Sequence, residues 1–176
     1  AYAFGASNVD LFVGSGPYFV DTHTTPVANS AAPMLVADGA IDEYDERDAD
    51  AVGLALENVN FGLIVMRPTS AVMKSTKYLA VKATANHAGL VGIDDFKLLA
   101  SDIKVEFNNV KQPGAVGNAP VVNFSVMPGG GYTFPGGNGD LKIDHASKVL
   151  RASVAIAELQ IDSYVFVRGA LAFEKG

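Results

Sequence analysis

Residues 103–108 read Ile-Lys-Val-Glu-Phe-Asn, so apolar and polar side chains alternate at every step. Successive side chains of a β-strand point to opposite faces of a sheet, and the pattern therefore predicts a strand with one face on a core. The same alternation recurs elsewhere, and its apolar members are Val59, Phe61, Leu63 and Val65; Val122, Phe124 and Val126; Leu141 and Ile143; and Val165, Val167, Leu171 and Phe173.

Turn-forming residues separate these segments. Glycine and proline cluster at residues 14–17, 112–114, 128–131 and 135–139, where they supply the backbone angles that turns require. Helical periodicity is weak, and residues 42–56 are predicted to form one or two helical turns at most. We therefore predict an all-β fold with at most a short helix. The predicted architecture is an antiparallel β-sandwich, jelly-roll-like or elongated, and a β-solenoid rod is the alternative.

Composition limits the classes of function. The 176 residues fit a single β domain, 1–176, and 49% hydrophobic against 18% charged residues excludes intrinsic disorder. A net charge of −6 argues against binding of nucleic acid. The densest apolar run, residues 61–66, is far shorter than the roughly 20 residues that span a bilayer, so no membrane insertion is predicted. The chain has no cysteine, no nucleophile elbow and no phosphate-binding loop, and we do not expect an enzyme.

An acidic segment is the most distinctive polar feature. Residues 38–50 carry seven carboxylates, which repel one another unless a cation joins them. Calcium takes six to eight oxygen ligands from flexible loops, so calcium is the expected cofactor. Its expected ligands are Asp42, Asp45, Asp48 and Asp50. The alternative is a solvated acidic loop. A second glycine-rich segment, residues 136–144, resembles an imperfect calcium-binding nonapeptide and is better interpreted as a hairpin turn.

Both ends of the chain are strongly apolar. Residues 1–13 are interpreted as a possible N-terminal assembly strand that docks on a neighbouring copy or repeat, because the outer strands of an open sheet leave unpaired backbone groups. Near the C-terminus, Tyr164 and Phe166 make the last strand apolar on both faces, which predicts a central or covered position. The residues assigned to the assembly strand are Tyr2, Phe4, Val9, Leu11 and Phe12.

Several blocks resemble the modules that recur in tandem in very large secreted bacterial proteins of the calcium-binding and adhesin-like kind. The blocks are residues 7–17 (SNVDLFVGSGP), 51–63, 79–94, 103–108 and 169–175. The resemblance implies an extracellular or cell-surface location, a structural role in a fibre or adhesin, and a chain equivalent to about one repeat. The expected partners are other copies or adjacent repeats.

The alternative function is an extracellular carbohydrate-binding domain that recognises surface glycans. Aromatic side chains beside turns could stack on sugars, although such residues more often close a β core. The aromatic residues concerned are Tyr18, Phe19, Tyr132 and Phe134.

Overall fold

The structure is a computed structural model that describes residues 1–20, 24–26, 35–37, 46–48, 50–70, 73–114, 119–134 and 141–175. Its strands are β1 (Tyr2–Ser15), β2 (Phe19–Val20), β3 (Thr24–Pro26), β4 (Leu35–Ala37), β5 (Glu46–Arg47), β6 (Val52–Met66), β7 (Lys77–Val91), β8 (Phe96–Lys111), β9 (Tyr132–Thr133), β10 (Lys142–Ile143), β11 (Val149–Ile161) and β12 (Val165–Lys175).

The six long strands form one antiparallel sheet in the order β1-β6-β7-β8-β11-β12. Neighbours in this sheet are also neighbours among the long strands along the chain, so the sheet is a meander. The short strands form three separate pairs, β2–β5, β3–β4 and β9–β10. The prediction of an all-β, antiparallel and sandwich-like fold is confirmed. The solenoid alternative is wrong, because consecutive long strands pair within one sheet.

A second layer packs on one end of the sheet. Phe124, Phe134 and Ile143 form a buried cluster with Ile64 of β6 and Ala80 of β7. The buried amide of Asn108 on β8 holds this layer in place, because its Nδ2 donates to the carbonyl oxygens of Val122 and Ser147, both at 2.9 Å. A side chain of the sheet thus satisfies the backbone of the irregular segment above it.

A smaller cluster packs at the other end of the sheet. Tyr18 and Ala51 are buried against Ala55 of β6, and Phe12 and Phe19 pack around them. The rings of Phe12 and Tyr18 stack with centroids 5.0 Å apart and planes at 9°. The residues after β1 therefore fold back onto the sheet instead of extending away from it.

Three local predictions need correction. Residues 52–56 begin strand β6 and are not helical, because their backbone pairs with β1 and β7. Residues 122–126 form no strand, although Phe124 is buried as its apolar character predicts. The last long strand is neither central nor covered: β12 lies at the edge of the sheet, and Phe166 is 62% exposed.

Candidate functional site

A row of irregular residues crosses the middle of the large sheet. Asn8, Asn58 and Asp102 have φ of 53°, 52° and 52°, in the left-handed region where Asn and Asp are the most tolerated non-glycine residues. The β1–β6 register shifts around Asn8, and the β11–β12 register shifts between Val154 and Ala157. These features are β-bulges, each of which reverses the alternation of side chains between the two faces.

The apolar pattern reverses at the same places. In β6, the apolar side chains are Val52, Leu54 and Leu56 before Asn58, and Val59, Phe61, Leu63 and Val65 after it. In β8 they are Phe96, Leu98 and Ala100 before Asp102, and Ile103, Val105 and Phe107 after it. The bulge and the change of apolar phase compensate, so the apolar side chains stay on one face along the whole strand.

Strand β12 supports this assignment independently. Every second residue from Val165 to Phe173 is apolar or glycine: Val165, Val167, Gly169, Leu171 and Phe173. No non-glycine residue of β12 has a positive φ, so the strand contains no bulge of the kind seen at Asn58. All five therefore lie on one face. Their partners on β11 lie on both sides of the β11 bulge. Val165, Val167 and Gly169 pair with Ile161, Leu159 and Ala157 on one side of it, and Leu171 and Phe173 pair with Val154 and Ala152 on the other.

We call this side of the sheet the open face and the opposite side, which carries both buried clusters, the covered face. Within the described part of the chain, no segment packs over the open face, and large apolar side chains of every long strand are exposed there. They include Phe4, Leu11, Leu54, Leu79, Leu98, Leu150, Val167 and Phe173. An exposed apolar surface of this extent is typical of an interaction site.

The sheet also has two edge strands, β1 and β12. Strands β1 and β12 each pair with one neighbour, and their outer backbone groups have no strand partner among the described residues. Natural edges are usually protected by proline or by several charges. Neither strand contains proline; β1 contains one charged side chain, Asp10, and β12 contains three, Arg168, Glu174 and Lys175. We call these two margins the outer edges.

The structure separates the five residues predicted for the assembly strand. All five lie on β1, which pairs with β6 of the same chain. Tyr2, Phe4, Val9 and Leu11 lie on the open face and are exposed. Phe12 lies on the covered face, where it packs against Tyr18. Docking of this strand on a neighbouring copy stays a prediction, and it would use the outer edge.

Charged side chains cross the covered face from strand to strand. Lys82, Glu106, Arg151 and Glu174 occupy paired positions on β7, β8, β11 and β12. The Glu106 side chain is 8% exposed and lies 3.2 Å from Lys104 Nζ and 3.2 Å from Arg151. Cation and carboxylate therefore alternate across four strands and end at an outer edge.

Two carboxylates, Glu174 of this row and Asp144 beside Lys82, are held ionised. Burial acts to raise the pKa of Asp144, but the hydrogen bond and charge of Lys82 at 3.0 Å lower that pKa below its usual range. Hydrogen bonds from Arg151 lower the pKa of Glu174 in the same way. The row is therefore an array of charge-assisted contacts near neutral pH.

A polar cavity of about 360 Å³ lies beside the bulge row on the covered face. Its polar lining includes Asn8, Asn58, Asn60 and Thr84. The buried Oδ1 of Asn58 accepts no hydrogen bond from any described residue, whereas its backbone N–H donates to Asp10 Oδ1 at 2.7 Å.

The residues predicted to bind calcium are only partly described. Asp42 and Asp45 lie outside the described residues. Asp48 Oδ1 accepts a hydrogen bond from the N–H of Asp50 at 2.8 Å, which is a turn within the chain. The residues that the structure describes contain no group of three or more His, Asp or Glu side chains placed to hold a metal ion. Calcium binding stays a prediction.

The aromatic residues predicted to face a sugar are mostly in the core. Tyr18 and Phe134 are buried, and the ring of Phe134 packs edge-on against Tyr132 at 5.1 Å. The sugar-stacking interpretation is wrong for Tyr18 and Phe134, because a buried ring offers no face to a ligand. Glycan binding elsewhere stays a prediction.

Histidines take structural positions where they are described. The Nε2 of His145 lies 3.2 Å from the carbonyl oxygen of Val81, and the Nδ1 of His87 lies 3.9 Å from Glu57. His23 lies outside the described residues. The two described histidines thus contact a backbone carbonyl and a carboxylate, respectively.

Tyr18 carries the largest shift of pKa. Burial raises its pKa to about 12, and the hydrogen bond that its hydroxyl donates to Glu57 acts in the same direction. Glu57 also pairs with Arg47 at 2.6 Å. The neutral phenol is therefore part of a partly buried network at this end of the covered face.

We expect Tyr18→Phe to flatten the dependence of stability on alkaline pH. The pKa of Tyr18 rises on folding from 10.0 to about 12, so its contribution is fully present below pH 10 and is lost as the pH rises toward 12. Urea unfolding at a series of pH values measures the slope. Tyr164→Phe removes an exposed phenol and is the control. Equal slopes for wild type and Tyr18→Phe would contradict the assignment.

Comparison with known protein families, curated proteins and solved structures finds no match to this chain. Among the described residues, no helix has the length and apolar character to cross a membrane.

The open face was not predicted as a continuous surface. The alternating segments were predicted singly, without the reversal of apolar phase at Asn8, Asn58 and Asp102. That reversal, together with Asn or Asp at the reversal point, is a signal of aligned bulges that the sequence does contain.

Proposed function

We propose that this chain is a structural subunit or repeat module of an extracellular fibre or adhesin that assembles by strand addition at its outer edges. The observation that carries the proposal is a sheet of six long strands whose two outer strands, β1 and β12, each lack a second strand partner among the described residues. Calcium at the acidic segment would strengthen contacts between neighbours by neutralising facing carboxylates.

The topology supports growth of one continuous sheet. The six strands alternate in direction, so β1 and β12 run in opposite directions. When a second copy is translated along the sheet, its β1 lies antiparallel to β12 of the first copy. The two strands, 14 and 11 residues long, would then form an antiparallel ladder of the same kind as those inside the chain.

The chemistry of the edges also supports strand addition. Strand β12 is apolar on both faces near its start, with Phe166 on the covered side and Val167 on the open side, and both are exposed. Its charged side chains, Arg168, Glu174 and Lys175, come later in the strand. An edge strand that is long, apolar and free of proline pairs readily with another strand. A neighbouring β1 would cover these side chains as well as the backbone.

We expect Phe166→Lys to stop assembly without unfolding the chain. Phe166 is an edge side chain outside the buried clusters, and a lysine at an edge disfavours addition of a strand. Sedimentation velocity and negative-stain microscopy would show long assemblies for wild type and for the control Phe166→Leu, and none for Phe166→Lys.

A peptide tests the same contact without a mutation. A peptide with the sequence of residues 165–175 should cap the outer edge of β1 and shorten the assemblies, whereas the same peptide with methylated backbone nitrogens should not. Wild-type protein that remains monomeric at all concentrations, with and without calcium, would contradict the proposed function.

A further inference from the structure

The open face is larger than the apolar patches of ordinary monomers. Six strands about 4.8 Å apart and about 14 residues long at about 3.3 Å per residue cover roughly 1,300 Å². The largest apolar patch of a typical monomer is about 300–600 Å². A stable protein–protein interface buries about 800 Å² on each partner. The open face therefore has the area that a stable dimer needs.

The glutamates of the sheet avoid this face. The carboxylates Glu57, Glu106, Glu158 and Glu174 take the other phase of their strands and lie on the covered face. The described long strands place no glutamate on the open face, so two such faces can meet without repulsion between glutamates, although the chain has a net charge of −6.

Three lysines mark one end of the open face. Lys77 and Lys111 are paired across β7 and β8, and Lys175 is paired with Leu150 at the same end of the sheet. A two-fold axis parallel to the strands would bring these lysines together. An axis perpendicular to the strands places them at opposite ends, where their ammonium groups stay in water.

We propose that the open face binds the open face of a second copy of this chain, with the two-fold axis perpendicular to the strands. Two sheets about 10 Å apart with interdigitated side chains then form a sandwich that a single copy leaves half uncovered. This contact goes beyond the proposed function, because it uses the face of the sheet and not its outer edges.

The oligomeric state tests the proposal in the Phe166→Lys background, in which edge addition is blocked. We expect a dimer by sedimentation equilibrium. Leu98→Glu should weaken dimerisation about 100-fold, because it places a carboxylate inside an apolar interface. Leu98 is 43% exposed in the single chain, so the monomer tolerates the change. The control is Gln160→Glu, which adds the same charge to the covered face.

Thiol reactivity provides a second measurement that does not depend on a destabilising charge. The chain has no cysteine, so a single introduced thiol reports on one position. Leu98→Cys should react with a maleimide at least about tenfold more slowly in the dimer, at high protein concentration, than at low concentration. Gln160→Cys should react equally at both concentrations.

Distinct outcomes overturn the proposal and the proposed function. A Phe166→Lys protein that stays monomeric, with Leu98→Cys equally reactive at all concentrations, overturns face pairing and leaves strand addition intact. Native mass spectrometry that finds a monomer carrying fatty acid or phospholipid also overturns it, because a lipid would then occupy the face. Dimers without long wild-type assemblies support face pairing and contradict strand addition.

Discussion

Phe134→Ala is expected to lower the free energy of unfolding by about 3–4 kcal/mol, because it removes a buried aromatic ring from the layer over β1 and β6. Phe134 is 4% exposed and packs with Phe124 and Ile143. The ring lies over Gly5 and Gly62, which have no side chains to refill the space. Urea unfolding followed by circular dichroism measures the loss.

The contact of Phe134 with two glycines makes this prediction specific. Gly5 and Gly62 are paired across β1 and β6, and the ring lies directly over both. A Cβ on Gly62 would lie 2.4 Å from Cε2 of Phe134, closer than atoms in contact can approach. An aromatic ring over paired glycines replaces the side chains that the glycines lack.

The effect of Gly62→Ala on stability should therefore depend on whether residue 134 is Phe or Ala. In the wild-type chain it should destabilise by about 1–3 kcal/mol through overpacking. In the Phe134→Ala chain the new methyl group enters the vacated space, and alanine also reduces the freedom of the unfolded chain, so the change should be neutral or stabilising. The double-mutant cycle measures this coupling.

Gly169→Ala is the matched control, because no atom lies within 4 Å of the Cβ it would add. It should be neutral or slightly stabilising in both backgrounds when measured below the concentration of association. Equal costs of Gly62→Ala in the two backgrounds would show that the ring does not occupy the position described.

The sequence could predict the sheet because its alternation is local. Residues 103–108 lie in β8 and residues 59–65 lie in β6, both as strands with alternating sides. The lengths of these strands were not predicted, because the apolar phase reverses at Asn58 and Asp102 and an alternation count stops at the reversal. The outcome of a bulge depends on the register of the neighbouring strands, which is a long-range property.

The position of β12 shows a second limit. Apolar residues on both sides of a strand predict burial when the chain is considered alone. In the structure Phe166 and Val167 are exposed at an edge, so the same pattern marks a surface that a partner would cover. The sequence could predict that an apolar strand would be left for a partner to cover, but not that this strand would be β12 at the edge of the sheet.

The covering layer was the least predictable part. The interaction of Phe134 with Gly5 and Gly62 joins residues far apart in the chain, and Asn108 holds a segment that lacks regular structure. Neither contact has a local sequence signal beyond the type of residue. Packing above a sheet is set by shape complementarity, which alternation does not encode.

Glu106→Gln is expected to destabilise the fold by about 2–3 kcal/mol, although it preserves the shape of the side chain. The Glu106 side chain is 8% exposed and lies among Lys82, Lys104 and Arg151 at 4.0, 3.2 and 3.2 Å. Loss of its charge leaves mutually repelling cations on a partly buried surface. This expected loss of stability is smaller than the loss for a fully buried ion pair, since Lys104 and Arg151 are nearly half exposed to water.

Urea unfolding at neutral pH, in low salt and in 1 M salt, would measure the effect of Glu106→Gln. Salt should reduce it only in part, because partly buried charges are screened less than exposed ones. The control is Glu174→Gln, an exposed partner of the same Arg151, and it should leave stability unchanged. If Glu106→Gln is instead as stable as wild type, the cost of burying this carboxylate equals its attraction to the three cations, and the charged row contributes no stability.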